Sequence, residues 1–78
     1  MRVKKECLIL TFPTTVAAMQ WEKYCIAHGI SGRIIPVPRE ITAGCGLAWK
    51  TEPEEKGKLR KVAEEQGMKV EEMQVLWV

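Results

Sequence analysis

The sequence predicts an α+β domain with a four-stranded antiparallel sheet and two helices on one face. Three observations support this class. The segments follow the order strand, helix, strand, strand, helix, strand, which is the βαββαβ order of the ferredoxin-like split βαβ motif. A glycine follows each helical segment, and a proline follows the first strand and ends the second. With 78 residues the chain has room for one domain, so residues 1–78 are expected to form a single unit.

The first strand and the first helix are predicted at residues 6–12 and 15–28. The strand is a continuous apolar run that Pro13 closes. A threonine after Pro13 supplies a hydroxyl group that can accept a hydrogen bond from a backbone amide one turn later, and so caps the helix. Gly29 is expected to end the helix in a left-handed conformation. At about 100° per residue, one face of this helix collects Ala17, Ala18, Trp21, Cys25 and His28.

The second half of the chain repeats the pattern with one added strand. The second strand, residues 30–37, ends in prolines that cannot donate to a ladder and is therefore expected at the sheet edge. The third strand is predicted at residues 47–51. Pro53 opens the second helix, residues 53–66, which Gly67 ends. The inward stripe of this helix is predicted to be Leu59, Val62, Ala63 and Gln66.

The last strand is predicted at residues 69–78, and its end is apolar on both faces. An exposed sheet edge of this composition invites association with another chain. The pattern therefore predicts that a partner, in the simplest case a second copy in a homodimer, covers this end. The apolar residues are Met73, Val75, Leu76, Trp77 and Val78.

Charge and composition exclude several classes of function. Twelve Lys and Arg oppose ten Asp and Glu, and the signs are interspersed, so a nucleic-acid partner is not expected. The basic residues near the start, including Lys5, are interpreted as solvated terminal charges. No apolar run approaches the roughly 20 residues of a membrane-spanning helix. Three cysteines without a secretory signal favour reduced thiols in the cytoplasm, and a lone His28 does not predict a metal site within one chain.

Cys45 is the candidate reactive group. In the predicted topology, the end of the first strand, the start of the first helix and the connection after the second strand share one edge of the sheet. A helix start presents unpaired amides and about half a positive charge, which favours a thiolate and lowers the pKa of a cysteine. Arg39 in the same connection adds a full positive charge. Gly44 and Gly46 leave room beside the sulfur, although glycines around a packed cysteine are equally compatible with a structural role.

The other two cysteines, the histidine and the tryptophans are predicted to have structural rather than catalytic roles. Cys7 and Cys25 fall on core-facing positions of a strand and a helix, where cysteine acts as a small hydrophobic residue. His28 is expected at the far end of the sheet from Cys45, so a Cys/His catalytic pair is not predicted. The tryptophans are expected in the core or at an interface.

Residues 35–48, Ile-Pro-Val-Pro-Arg-Glu-Ile-Thr-Ala-Gly-Cys-Gly-Leu-Ala, resemble a segment of the short bacterial and archaeal selenium/sulfur carrier-like proteins. The resemblance extends over essentially the whole chain, and the stretch from Pro38 to Gly46 is its most specific part. It implies a ferredoxin-like domain in which Cys45 holds sulfur or selenium as a persulfide or perselenide. No resident cofactor is implied beyond this carried atom.

Two further hypotheses remain beside the carrier. The chain is expected to be a carrier that exchanges the atom with donor and acceptor proteins, rather than an enzyme with turnover. A small-molecule-binding or regulatory module, with Cys45 only filling the connection, is the first alternative. A structural subunit that pairs through its last strand is the second. The fold alone does not separate them, because this architecture hosts many functions.

Overall fold

The computed structural model describes residues 5–38 and 46–77. The predicted order of strands and helices is confirmed, with one short 3₁₀ turn added. The elements are β1 (Glu6–Thr11), α1 (Thr15–Ala27), β2 (Arg33–Pro36), β3 (Leu47–Thr51), the 3₁₀ turn (Pro53–Glu55), α2 (Lys56–Gln66) and β4 (Glu72–Trp77).

The four strands form one antiparallel sheet in the order β2-β3-β1-β4. The first and third strands are central, and β2 lies at an edge, as predicted. Leu8 pairs with Thr51 of β3 on one side and with Val75 of β4 on the other. The α+β class with an antiparallel sheet is therefore confirmed.

Both helices pack on one face of the sheet. Alternate β1 residues Leu8 and Leu10, followed by Phe12, share one buried cluster with Trp21 of α1 and Leu59 of α2. The predicted inner arc of α1 is confirmed for Ala17, Ala18, Trp21 and Cys25, all of which are buried. His28 and Gln66, predicted on inner faces, are exposed instead. His28 follows the last turn of α1, and Gln66 is the last residue of α2, so neither side chain reaches the core.

β1, α1 and β2 each end one residue before the predicted residue, and three predicted starts also differ from the structure. β2 begins at Arg33 rather than at residue 30, because the amide of Ile30 donates to the carbonyl of Cys25 (2.9 Å) and still belongs to the end of α1. The second helix begins with a 3₁₀ turn at Pro53–Glu55 before α2. β4 begins at Glu72 rather than at residue 69.

The opposite face of the sheet carries a second, smaller cluster. Cys7, Ile9 and Ala48 are its buried residues, and Ile35, Val37 and Leu76 pack against them. This face therefore has apolar character at its centre. Towards the start of β1, Lys50 lies directly beside Ile9 in the register. No helix within residues 5–38 or 46–77 is long and apolar enough to cross a membrane.

Candidate functional site: the sheet edge at the start of α1

The end of β1, the start of α1 and the β2–β3 connection meet at one edge of the sheet. Thr11, near the end of β1, pairs with Ala48 near the start of β3, and Pro36 at the end of β2 pairs with Leu47. α1 begins four residues after Thr11, at Thr15. The two ends of the connection that contains Cys45 therefore lie beside the start of α1. We call this end of the sheet, formed by Thr11, Thr15, Pro36 and Leu47, the Cys45 edge.

A backbone hydrogen bond holds the two ends of this connection together. The amide of Val37 donates to the carbonyl of Gly46 at 3.0 Å, which extends the β2–β3 ladder by one pair. Gly46 adopts a φ of +75°, a conformation that favours glycine, and it is exposed. A Cβ atom at position 46 would meet nothing within 4 Å. Position 46 therefore has open space around it among the described residues.

Gly46 is the one predicted site residue that the structure describes. Arg39, Gly44 and Cys45 lie outside residues 5–38 and 46–77. Their grouping around a reactive sulfur stays a prediction. Cys45 directly precedes Gly46 in the chain, so it lies within one residue of the hydrogen-bonded pair that closes the connection.

The start of α1 has unpaired amides that face outwards along the helix axis. Thr14 is the cap, with extended backbone angles, and its Oγ1 accepts from the amide of Ala17 at 3.1 Å. The amide of Ala18 donates to the carbonyl of Thr14 at 3.2 Å. Within the described residues, the amides of Thr15 and Val16 have no such partner, as expected for the first helical residues. They leave partial positive charge at this edge.

Thr11 contributes a further polar group that sequence reasoning missed. Its side chain is 1% exposed, and its Oγ1 has no hydrogen-bond partner within the described part of the chain. Strand alternation puts it on the same face as Ile9, opposite the helices. An unpaired buried hydroxyl costs about 1–3 kcal/mol. No sequence pattern marks it, because a threonine in a strand is ordinarily paired or exposed.

The two described cysteines are packed in the core. Cys7 is 2% exposed on the face opposite the helices, and Cys25 is fully buried beneath α1. Burial raises the pKa of the Cys25 thiol to about 11, against a smaller lowering by Lys58. At neutral pH Cys25 is therefore a protonated, enclosed thiol with little nucleophilic character.

His28 does not join the Cys45 edge. It caps the far end of α1, where its ring stacks on Tyr24 with centroids 4.1 Å apart. Within the described ranges, no three His, Cys, Asp or Glu side chains are grouped so that they could hold a metal ion. Trp21 and Trp49 belong to the core, and Trp77 is 63% exposed.

A family model matches nearly the whole chain. The family is described as "Putative Se/S carrier protein-like", and the match covers residues 6–74. The chain belongs to this family. The matched range of this Se/S carrier-like chain includes the β2–β3 connection and Cys45. Searches of curated proteins and of solved structures gave no match.

The Se/S carrier-like chain also has an exposed apolar face that was not predicted. Val16, Met19 and Ile26 of α1 are 62%, 61% and 72% exposed. They line a shallow groove with Lys23, and Val16 lies in the first turn, beside the Cys45 edge. The signal was visible in the sequence, because α1 carries apolar residues at helical spacing on a second face besides its buried arc.

Proposed function

We propose that this protein carries a sulfur or selenium atom on Cys45 and passes it between a donor and an acceptor protein. The supporting observation is the family match over residues 6–74, which includes Cys45. The other two cysteines are buried in a strand and a helix. Cys45 is therefore the cysteine that we assign to the exchange with other proteins. The exchange needs a reduced thiol, and thiols stay reduced in the cytoplasm, so we place the carrier there.

The edge of the sheet supports an anion on Cys45. A persulfide or perselenide is more acidic than a thiol and is an anion at neutral pH. The amides of Thr15 and Val16 and the positive end of α1 favour negative charge beside them. In this proposal Arg39 adds a full charge, and Gly44 and Gly46 keep side chains away from the terminal atom. These groups hold the anion without closing over it.

The transfer step needs only an acceptor thiolate. The acceptor sulfur attacks the terminal atom held by Cys45, the bond between that atom and the Cys45 sulfur breaks, and Cys45 leaves as a thiolate. The groups that favour the loaded anion also favour the thiolate that remains. The protein therefore acts as a carrier and returns to its starting state after each exchange.

The exposed face of α1 is the proposed docking surface for the donor and acceptor proteins. Both must reach the same sulfur, so both need a surface that continues from the Cys45 edge. The face formed by Val16, Met19 and Ile26 begins at this edge and is apolar enough to bind a partner. One face used in turn by both proteins accounts for its exposure in the single chain.

Loading with purified components tests the carrier proposal. Incubation with a cysteine desulfurase and either cysteine or selenocysteine is expected to add the mass of one sulfur or selenium atom at Cys45, because the enzyme hands over the atom from its own persulfide or perselenide and keeps its thiolate. Cys45→Ala is expected to abolish the addition, while the matched variants Cys7→Ala and Cys25→Ala are expected to keep it. Loading that persists in Cys45→Ala, or that no donor produces, would instead favour a non-catalytic binding or regulatory module.

A second arm of the same assay tests the docking surface. Met19→Glu places a charge in the apolar face and is expected to slow loading by the desulfurase. Loading by inorganic polysulfide is expected to proceed at the wild-type rate, because a small donor needs no docking surface. Gln66→Glu, at the exposed end of α2, makes the same change in net charge and is the matched control. Equal loading by the desulfurase in all three proteins would contradict the proposed surface.

Self-association through β4 is proposed as the simplest arrangement of the last strand. β4 lies at the edge of the sheet, and its Val75 and Trp77 are 38% and 63% exposed. A second copy that pairs with this edge in antiparallel fashion would cover both side chains by two-fold symmetry. The Cys45 edge lies at the other end of the strands and stays accessible in such a dimer.

A further inference from the structure

Three cations lie on the face of the sheet opposite the helices, at the end remote from the Cys45 edge. Arg33 begins β2, Lys50 lies near the end of β3, and Lys5 directly precedes β1. Strand alternation puts Arg33 on the face of Ile35, Lys50 on the face of Ala48 and Lys5 on the face of Cys7. All three residues line one cavity of about 350 Å³.

Two of these cations are forced together by the register. Arg33 lies directly opposite Lys50 in the β2–β3 ladder. Like charges in directly opposed positions destabilise a strand pair. Glu52 is the acidic residue in the cavity lining, so the three cations leave a net charge of two positive units there. Within the described chain, none of the three cations forms an ion pair. The sheet therefore bears a repulsion that a bound anion would relieve.

The backbone that precedes Arg33 is held in a defined conformation. Thr51 donates from Oγ1 to the carbonyl oxygen of Ser31 at 2.9 Å, and the hydroxyls of Ser31 and Thr51 lie 3.4 Å apart. Gly32 has a φ of +129°, and a Cβ atom there would lie 2.5 Å from Nε1 of Trp49. The chain that leads into Arg33 is therefore held against β3 by Ser31 and Gly32. A guanidinium group on a fixed backbone is suited to bidentate contacts with an oxyanion.

We propose that this cavity binds the phosphate group of a small ligand. Arg33 would contact two oxygen atoms, and Lys5 and Lys50 would add point charges, which together match the two negative charges of a phosphate or phosphate monoester. The volume lies at the lower end of the range for small-molecule sites. Among the described residues of this sheet face, the cations gather at one cavity rather than along a stripe, which favours a small ligand over a nucleic-acid strand. The site is independent of Cys45.

Phosphate titration followed by NMR is the direct test. Inorganic phosphate is added to isotope-labelled protein at constant ionic strength, with chloride as the balancing anion. Saturable shifts are expected at the amides of Arg33 and Lys50. Lys50→Gln is expected to weaken the affinity by about tenfold, which corresponds to the loss of one charged hydrogen bond. Lys61→Gln, an exposed cation on α2, is the matched control and is expected to keep the wild-type affinity.

Thermal unfolding gives a second readout that a purely structural lysine would not produce. Without phosphate, Lys50→Gln is expected to unfold at a higher temperature than the wild type, because the repulsion with Arg33 is removed. With saturating phosphate, the wild type is expected to gain stability and the variant to gain much less. Equal gains in both proteins, or shifts that do not saturate, would overturn the proposed site.

Two further ligands distinguish the source of the phosphate. A nucleoside monophosphate that binds more tightly than inorganic phosphate identifies a nucleotide as the ligand class, and equal affinities identify the free anion. Both results support the site. Affinity that rises with the length of a single-stranded oligonucleotide would instead indicate a nucleic-acid surface and contradict the small-ligand proposal.

Discussion

The amide of Val37 donates a 3.0 Å hydrogen bond to the carbonyl oxygen of Gly46. The connection that contains Cys45 thus leaves and re-enters the sheet at neighbouring points. The ladder below this pair is built from β2 and β3, whose residues pack in the two clusters. Substitutions within the connection are therefore expected to change the reactivity of the protein more than its stability.

Cys45 is predicted to be the fastest thiol to alkylate. At mildly acidic pH, iodoacetate is expected to label Cys45 well before Cys7 and Cys25, because burial encloses both and raises the pKa of Cys25 to about 11. Peptide mass spectrometry over a time course measures the three rates. Equal rates at the three positions would contradict the carrier proposal.

Removal of the Arg39 side chain is predicted to slow the alkylation of Cys45 without unfolding the protein. Arg39→Ala takes away a positive charge that favours the thiolate, so the alkylation rate at pH 6 is expected to fall, while the free energy of unfolding changes by less than about 0.5 kcal/mol. Arg39→Lys keeps the charge and serves as the control. A rate that is the same in all three proteins would show that Arg39 has no influence on the sulfur.

The stability of the protein is predicted to fall in alkaline solution through Cys25. Its pKa is about 11 in the folded chain, against an ordinary value of 9.0, so folding favours the protonated thiol. The contribution is complete below about pH 9 and is lost as the pH rises through 11, by about 2–3 kcal/mol. Denaturant unfolding of the wild type and of Cys25→Ala between pH 8 and 11 measures it. The difference in stability between the two proteins should narrow as the pH rises.

Gly32 is predicted to tolerate no side chain. Gly32→Ala places a Cβ atom 2.5 Å from Nε1 of buried Trp49 and forces alanine to a φ of +129°. Together these effects are expected to cost about 2–4 kcal/mol in the free energy of unfolding. Gly57→Ala, in α2, is the matched control, because a Cβ atom there meets nothing within 4 Å and alanine favours a helix. Urea unfolding of both variants checks the contrast, and a similar cost in each would show that the contact with Trp49 is easily relieved.

Self-association is predicted to depend on the edge strand. Sedimentation is expected to show a dimer for the wild type, and Val75→Lys is expected to give a monomer, because a charge on an edge strand opposes pairing with a second chain. Gln66→Lys, at the exposed end of α2, makes the same change in net charge and is the control. A wild-type monomer at high concentration would contradict the arrangement.

The sequence predicted the type and order of the strands and helices because the local signals agreed with the tertiary structure. Residues 47–51 form β3 with both bounds as predicted, and Thr14 caps α1 as expected. The start of β2 was missed because an apolar Ile30 suits both the end of a helix and the start of a strand. The hydrogen bond from its amide to the carbonyl oxygen of Cys25 leaves no trace in the sequence pattern. Apolar periodicity does not distinguish a helix end that packs in the core from the first residue of a strand.

The candidate site was predicted in part for a related reason. The order of the elements fixes the direction of each strand in the sheet. It therefore predicted that the start of α1 and the two ends of the β2–β3 connection lie at the same end of the sheet. The cavity with Arg33 and Lys50 was missed because those residues are far apart in sequence and meet only through the register. Lys5 has the appearance of a solvated terminal charge until its neighbouring strands are known.

The three tryptophans give this protein an internal optical reporter. Trp21 and Trp49 are fully enclosed, whereas Trp77 is 63% exposed at the end of β4. The enclosed pair should emit at short wavelength and resist a soluble quencher, while Trp77 should emit at longer wavelength and be quenched. Fluorescence from the unlabelled chain can therefore follow the burial of β4 and the unfolding of the core at two separate emission wavelengths.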